Sequence, residues 1–295
     1  MNITEDSYVV QPNVISRAVY IMPTMARRLI FLAVFNVQVD RPNEMKFEID
    51  LRELALQFGF VETKRYDELK AAIDIASKQI LRFETEGGGI TEWMPWLTYC
   101  SLNLKNNLVT IQINEHLHDY VLNIRQSTGF SILLLSDYFK LESRYAYRWF
   151  EIIFSRCGHS IKGGPFFVRY SVEEIKTLFL IDDKKYKNKK DFRLYVIERP
   201  IDEINEKKIG FTVIPEYVYK GKKLIDVILR CSFSKRDNGS DLMAYYMSRY
   251  PKEFFNYFSE AKRSPELRKY KNSESFELKC MQKALELLNT RFPHE

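Results

Sequence analysis

Along residues 22–39, Ala26, Leu29, Ile30, Ala33, Val34 and Val37 recur at helical spacings, which predicts an amphipathic helix opened by Pro23 and Thr24. Arg41, Pro42 and Asn43 end it. Residues 46–50 then alternate as a short strand, and Asp50 is placed to cap a helix over 51–58 that Gly59 closes. The stripe Leu69, Ala72, Ile73, Ala76 and Ile80 predicts a further helix over 66–83, broken by Gly87, Gly88 and Gly89. Two β-prone runs, 93–101 and 108–113, meet at Lys105-Asn106-Asn107, where asparagine tolerates the left-handed backbone of a tight hairpin.

A helix over 115–128 leads to Gly129, the expected domain junction, and the order then begins again. Residues 145–155 are helical with Tyr145, Trp149, Ile152 and Ile153 inward, 166–170 are strand-like, and Ser171 with Glu174 forms a capping box for a helix over 172–179. The next helix, 190–205, turns Phe192 and Val196 to the core and is expected to bend at Pro200. Strands over 210–219 and 224–233 flank a turn at Lys220-Gly221-Lys222. Helix, strand, helix, helix, hairpin is the order of a winged helix. Twice over, it gives an α+β chain of two tandem winged helices, 1–129 and 130–236, with a helical extension, 237–295, of two or three short helices.

Composition narrows the class. The 295 residues suffice for two domains, 45% are hydrophobic, and the formal charge of +6 permits an anionic partner without naming one. Cys100, Cys157, Cys231 and Cys280 show no CxxC spacing, and His116 and His118 have no cysteine at ligand distance, so no metal site is expected. The opening residues lack a secretory pattern and no apolar run approaches the roughly 20 residues that span a bilayer, which points to a cytoplasmic protein without a membrane partner. There is no P-loop, no GxSxG and no HExxH, so no catalysis and no cofactor are expected. Tyr145 and Tyr147 are read as packing residues rather than nucleophiles.

Charge distribution carries the chemistry. Lys184, Lys185, Lys187, Lys189, Lys190 and Arg193 crowd one helix opening, opposed between 184 and 193 only by Asp191. A lysine-rich turn is ordinarily solvated surface. Beside a recognition helix and a wing bearing Lys220, Lys222 and Lys223 it becomes a candidate phosphate contact, because exposed helix amides and the positive dipole end add to the cations. Arg193 is the candidate for a base edge, since its planar fork matches both acceptors of guanine. In the first copy Lys64, Arg65 and Lys70 flank the equivalent helix, but Asp67 and Glu68 sit among them. Direct DNA contact and a dimer surface that includes Trp93, Trp96 and Tyr99 both stand there, although aromatic residues on strands are more often core.

The second copy resembles the initiator replication proteins of iteron-containing plasmids, typified by the initiator of the F plasmid. The resemblance lies in Arg144-Tyr145-Ala146-Tyr147-Arg148-Trp149-Phe150-Glu151, in Val172-Glu173-Glu174-Ile175-Lys176 with Leu178, in Tyr186 followed by Asp191-Phe192-Arg193, in Glu203-Ile204-Asn205, and in Tyr219-Lys220-Gly221-Lys222-Lys223. The first copy is similar more loosely, through Leu29-Ile30, Leu51-Arg52-Glu53-Leu54-Ala55, Tyr66-Asp67-Glu68-Leu69-Lys70 and the run from Trp93 to Trp96. Residues 12–236 are covered. The resemblance implies monomeric binding of directly repeated origin DNA, repression of the initiator's own gene by a dimer formed through the N-terminal domain, and contacts with host replication proteins. Leu194 and Tyr195 depart from the basic residues that family members often carry there, so the base-reading set is not carried over at those positions. A winged-helix transcriptional regulator without initiation, and a protein-interaction module, are the alternative readings.

Overall fold

The computed structural model describes residues 8–39, 45–57, 65–84, 91–121, 130–156, 165–186, 188–233, 251–268 and 276–291. The chain opens with β1 (Tyr8–Pro12), α1 (Asn13–Arg17) and α2 (Thr24–Val39), whose periodic apolar residues Ala26, Leu29, Ile30, Ala33 and Val37 are buried. β2 (Lys46–Asp50) follows, and Asp50 Oδ1 accepts from the amides of Arg52 and Glu53 at 2.7 and 3.2 Å, capping α3 (Leu51–Gln57) as its position predicted.

α4 (Arg65–Ser77) is shorter than the stripe suggests, because Ile80–Glu84 is a strand, β3, and not the last turn of a helix. β3 pairs antiparallel with β4 (Thr91–Pro95), so Ile80, Leu81 and Phe83 gain a ladder partner that an apolar stripe does not reveal. The expected single strand over 93–101 is likewise two strands, divided at the buried Trp96: β4 joins β3, while β5 (Leu97–Asn103) joins β6 (Leu108–Ile113). Asn107, with φ of 50°, takes the left-handed position in the β5–β6 turn. After a single turn of 3-10 helix, α5 (His118–Val121) is all that is described of the helix expected over 115–128. Gly129 lies outside the described residues, as does Gly59.

β7 (Phe130–Leu134), which lies beyond the expected junction at Gly129, returns to pair with β1, a ladder that local patterning did not foresee. Then come α6 (Leu135–Lys140), α7 (Arg144–Arg156), β8 (Phe166–Ser171) and α8 (Val172–Leu178), with the Ser171–Glu174 capping box formed. One helix over 189–206 follows, made of α9 (Lys189–Phe192), a π-helical stretch (Arg193–Glu198) and α10 (Arg199–Glu206). The wing is β9 (Phe211–Lys220) and β10 (Lys223–Phe233), turning at Gly221, whose φ of 59° disfavours any side chain. The sheets β2-β6-β5 and β8-β10-β9 share one antiparallel topology, the last strand always central. Repetition of element order is thus repetition of architecture.

The halves share one core, running from Val9 to Cys231, and α7 is its axle. Glu151, fully buried on α7, accepts from Arg27 of α2, from Arg148 and from the hydroxyls of Tyr20 and Tyr138. Burial alone would raise the Glu151 pKa, but Arg27 and Arg148 outweigh it and hold the carboxyl below its ordinary range. Arg148 Nη2 also donates to the Ala18 carbonyl at 2.8 Å, and its guanidinium lies 3.8 Å from the Tyr20 ring centroid. Helices Pro251–Arg263 and Phe276–Arg291 pack on each other, and their buried residues Phe254, Phe258, Ala261, Cys280, Ala284 and Leu288 lie outside that shared core. The second runs longer than the short helices expected there.

Candidate nucleic-acid interface

Proline at position 200 decides the local geometry. It has no N–H for the Val196 carbonyl one turn back, a bond whose loss ordinarily breaks or kinks a helix. Here the indole of Trp149 supplies the donor, Nε1 to Val196 oxygen at 2.7 Å, and both residues are buried. The backbone over 193–198 relaxes into the wider π turn just upstream. Two further locks fix the same helix. The Glu203 carboxylate accepts from the amides of Glu142 and Ser143 at the opening of α7, and Asn205 exchanges bonds of 2.9 and 2.8 Å with Val213 of β9. Phe192 and Val196 face the core as predicted, with Ile201 and Ile204 beside them.

The helix opening gathers exposed cations. The Asn188 side chain accepts from the Lys190 amide at 3.0 Å, and Lys189 and Lys190 are exposed. Lys184 and Lys185 are exposed in the preceding turn, the latter 5.3 Å from the Tyr186 ring centroid. Of the nearby acids, Asp182 accepts from the Lys184 amide at 2.7 Å and Asp183 pairs with Lys176 at 2.9 Å, while Asp191 is half-buried. Lys189 Nζ reaches the Lys222 carbonyl at 3.1 Å, which ties the helix tip to the wing tip. Lys220 and Lys223 face each other across the turn, and Lys223 lies 3.7 Å from Glu173. The cationic tip and the hairpin therefore stand on one side of the second half. Lys187 lies outside the described residues.

Arg193 sits between helix and wing, and it has partners that the sequence did not suggest. Its Nε lies 2.9 Å from Glu198 Oε1, its Nη1 donates to the Tyr219 hydroxyl at 3.4 Å, and its guanidinium carbon is 5.3 Å from the Tyr217 ring centroid. The Tyr217 hydroxyl donates to the same Glu198 oxygen at 3.3 Å. The Tyr219 hydrogen bond and the Glu198 charge raise the Arg193 pKa, and burial first, then Glu198, raises that of Tyr217. Outward from the helix stand Leu194, half-buried, and Tyr195, exposed, with Tyr186 stacked 6.2 Å from Tyr195 and Arg199 4.6 Å from its ring.

The first half places its candidates differently. Lys70 is exposed on α4, among exposed Asp67, Glu68 and Asp74, the last paired with Lys78 at 2.7 Å. Arg65 opens α4, but neither its side chain nor Lys64 is among the described residues. Of the aromatic trio, Trp96 is core at 1% exposure, whereas Trp93 and Tyr99 are 65% and 52% exposed. Tyr145 and Tyr147 are buried packing residues.

The family model described as Initiator Replication protein, WH1 matches residues 8–154, and the one described as Initiator Rep protein, WH2 matches residues 171–230. Among solved structures, the Pi initiator protein in complex with iteron DNA is similar at 16% identity and a TM-score of 0.63, over 79% of this chain and 100% of that one. Domains 2 and 3 of RctB are similar at 12% identity and a TM-score of 0.47, over 79% and 93%. A comparison with curated protein sequences gives no match. Both copies are winged helices, as the order of elements predicted. Among the described residues no helix is long and apolar enough to cross a membrane.

Proposed function

The chain belongs to the initiator replication protein family, and from that membership we propose that it starts plasmid replication by binding directly repeated origin DNA, with its second half as the main reader. The observation that carries the reading is the contact of Lys189 with the Lys222 carbonyl, which joins a cationic helix opening and a lysine-tipped wing into one surface. In a helix-turn-helix arrangement that end of the recognition helix enters the major groove. The similarity of fold to the Pi protein, which was solved with iteron DNA, supports the same class of target here.

In this reading Lys184, Lys185, Lys187, Lys189, Lys190, Lys220, Lys222 and Lys223 take phosphates, and Arg193 takes a base edge. Leu194 and Tyr195 offer apolar contact to a thymine methyl. Residues 1–129 supply a dimer face, supported by the exposed Trp93 and Tyr99, or further DNA contacts through Lys64, Arg65 and Lys70. Residues 130–236 read the origin, and 237–295 are assigned no role. The dimer represses the chain's own gene, host replication proteins complete initiation, and the chain works in the cytoplasm without catalysis or cofactor of its own.

Fluorescence anisotropy with duplexes tiled from the DNA beside the gene tests the proposal. Duplexes carrying direct repeats should bind more tightly than scrambled ones of equal composition, with affinity falling as salt rises. Equal binding to both, at every salt concentration, would refute it.

A further inference from the structure

Arg193 is tethered, and the tether depends on an irregularity in the helix. Residues five apart do not face each other on an α-helix, where neighbours are three or four apart. The π turn, with its i to i+5 register, stacks Arg193 and Glu198 one above the other. Both are partly exposed, at 38% and 29%, so the pair stands at the edge of the surface and not beneath it. Glu198 takes the Nε side of the guanidinium and is itself steadied by the Tyr217 hydroxyl. The Nη1 contact to Tyr219 is long, at 3.4 Å, and made by an exposed hydroxyl. It is the hydrogen bond an incoming acceptor displaces, while the Glu198 contact at Nε is an ion pair without hydrogen-bond geometry.

An untethered arginine near a duplex is drawn to the nearest phosphate, which adds affinity without sequence information. An arginine with a carboxylate in ion-pair contact on its Nε edge has its Nη1 and Nη2 edge turned away from that carboxylate. It meets a repulsive neighbour whenever a phosphate approaches, whereas the neutral acceptors of guanine carry no such penalty. We propose that Glu198 is a specificity-determining positioning residue, which aims Arg193 at a base edge and denies it to the phosphate backbone. The inference rests on the DNA-reading function proposed above and assigns to Glu198 the division between specific and non-specific binding.

The test is a set of salt titrations with repeat-bearing and scrambled duplexes, using the full chain and its E198Q, E198D, R193A and R193A/E198Q variants, each checked for thermal unfolding. In E198Q the scrambled duplex should bind more tightly, with a salt slope steeper by about 0.9 for one added phosphate contact. The ratio of specific to non-specific affinity should fall about tenfold, the scale of one good base contact. E198D, which keeps the carboxylate, should restore much of the ratio, and in the R193A background E198Q should not change it further. Tyr217→Phe, which removes a donor from the Glu198 oxygen, should shift the ratio in the same direction by less. An unchanged ratio in E198Q, or an equal change with and without Arg193, would overturn the proposal, the latter by showing that Glu198 acts through its own charge. Absence of any repeat preference in the unaltered chain would instead sink the DNA-reading function itself.

Discussion

The helix over 189–206 and α4 hold the same place in the two halves, each following a short helix, yet they are built by different means. α4 is regular and held by burial: Leu69, Ala72 and Ala76 are inside, while its outer face mixes Asp67, Glu68 and Asp74 with Lys70 and Lys78. The second helix changes pitch midway and is pinned at named positions by Trp149, Glu203, Asn205 and the wing. A surface that offers cations to a charged polymer gains little from apolar burial on that side. Phe192, Val196, Ile197, Ile201 and Ile204 bury the helix's inner face, polar bonds add further fixed points, and Lys184, Lys185 and Lys190 stay exposed.

The largest effect should come from Glu151 on α7, in the core that the two halves share. Removing Glu151 in E151A strands Arg27 and Arg148 in the core and should cost about 3–5 kcal/mol in denaturant unfolding, the usual result of breaking a buried ion pair. Because Glu151 is lowered in the folded state, its contribution is complete above the ordinary carboxylate range and is lost as pH falls through its depressed folded value. E151Q should therefore flatten the acid limb of stability against pH, and an E151A protein as stable as the parent would remove α7 from its central role.

A smaller effect should single out the second helix. Trp149→Phe takes the indole donor from the buried Val196 carbonyl and should cost about 1–3 kcal/mol. Pro200→Ala restores a backbone N–H one turn on, so the same tryptophan substitution should cost less in that background. Additive costs in the double-mutant cycle would show that the indole does not stand in for the missing amide.

These locks explain why the family resemblance was easier to see than the site. Trp149, Glu151, Glu203 and Asn205, all within the quoted motifs, are scaffold residues that position the helix and the wing. The periodic stripes of α2, α7 and α8, and the caps at Asp50 and Ser171, were legible because local pattern and tertiary burial agree there. β3 is hidden in the sequence because Ile80 continues the stripe of α4, and only the pairing with β4 decides for a strand. The β1–β7 ladder joins segments too distant for any local pattern to register. At the site, the lysines were visible as a charge run, but the Arg193–Glu198 pair was not, since a spacing of five has no meaning until the π turn is known.

The comparison of the two helices is tested most directly by the salt dependence of binding to a repeat-bearing duplex in K189A/K190A and in K70A. The double variant should lower the slope of log affinity against log salt by about 1.8, for two phosphate contacts at about 0.9 each, while K70A lowers it by less, or not at all where the first half serves as a dimer face. A slope that falls in K70A and holds in K189A/K190A would place the DNA on the first half and contradict the account.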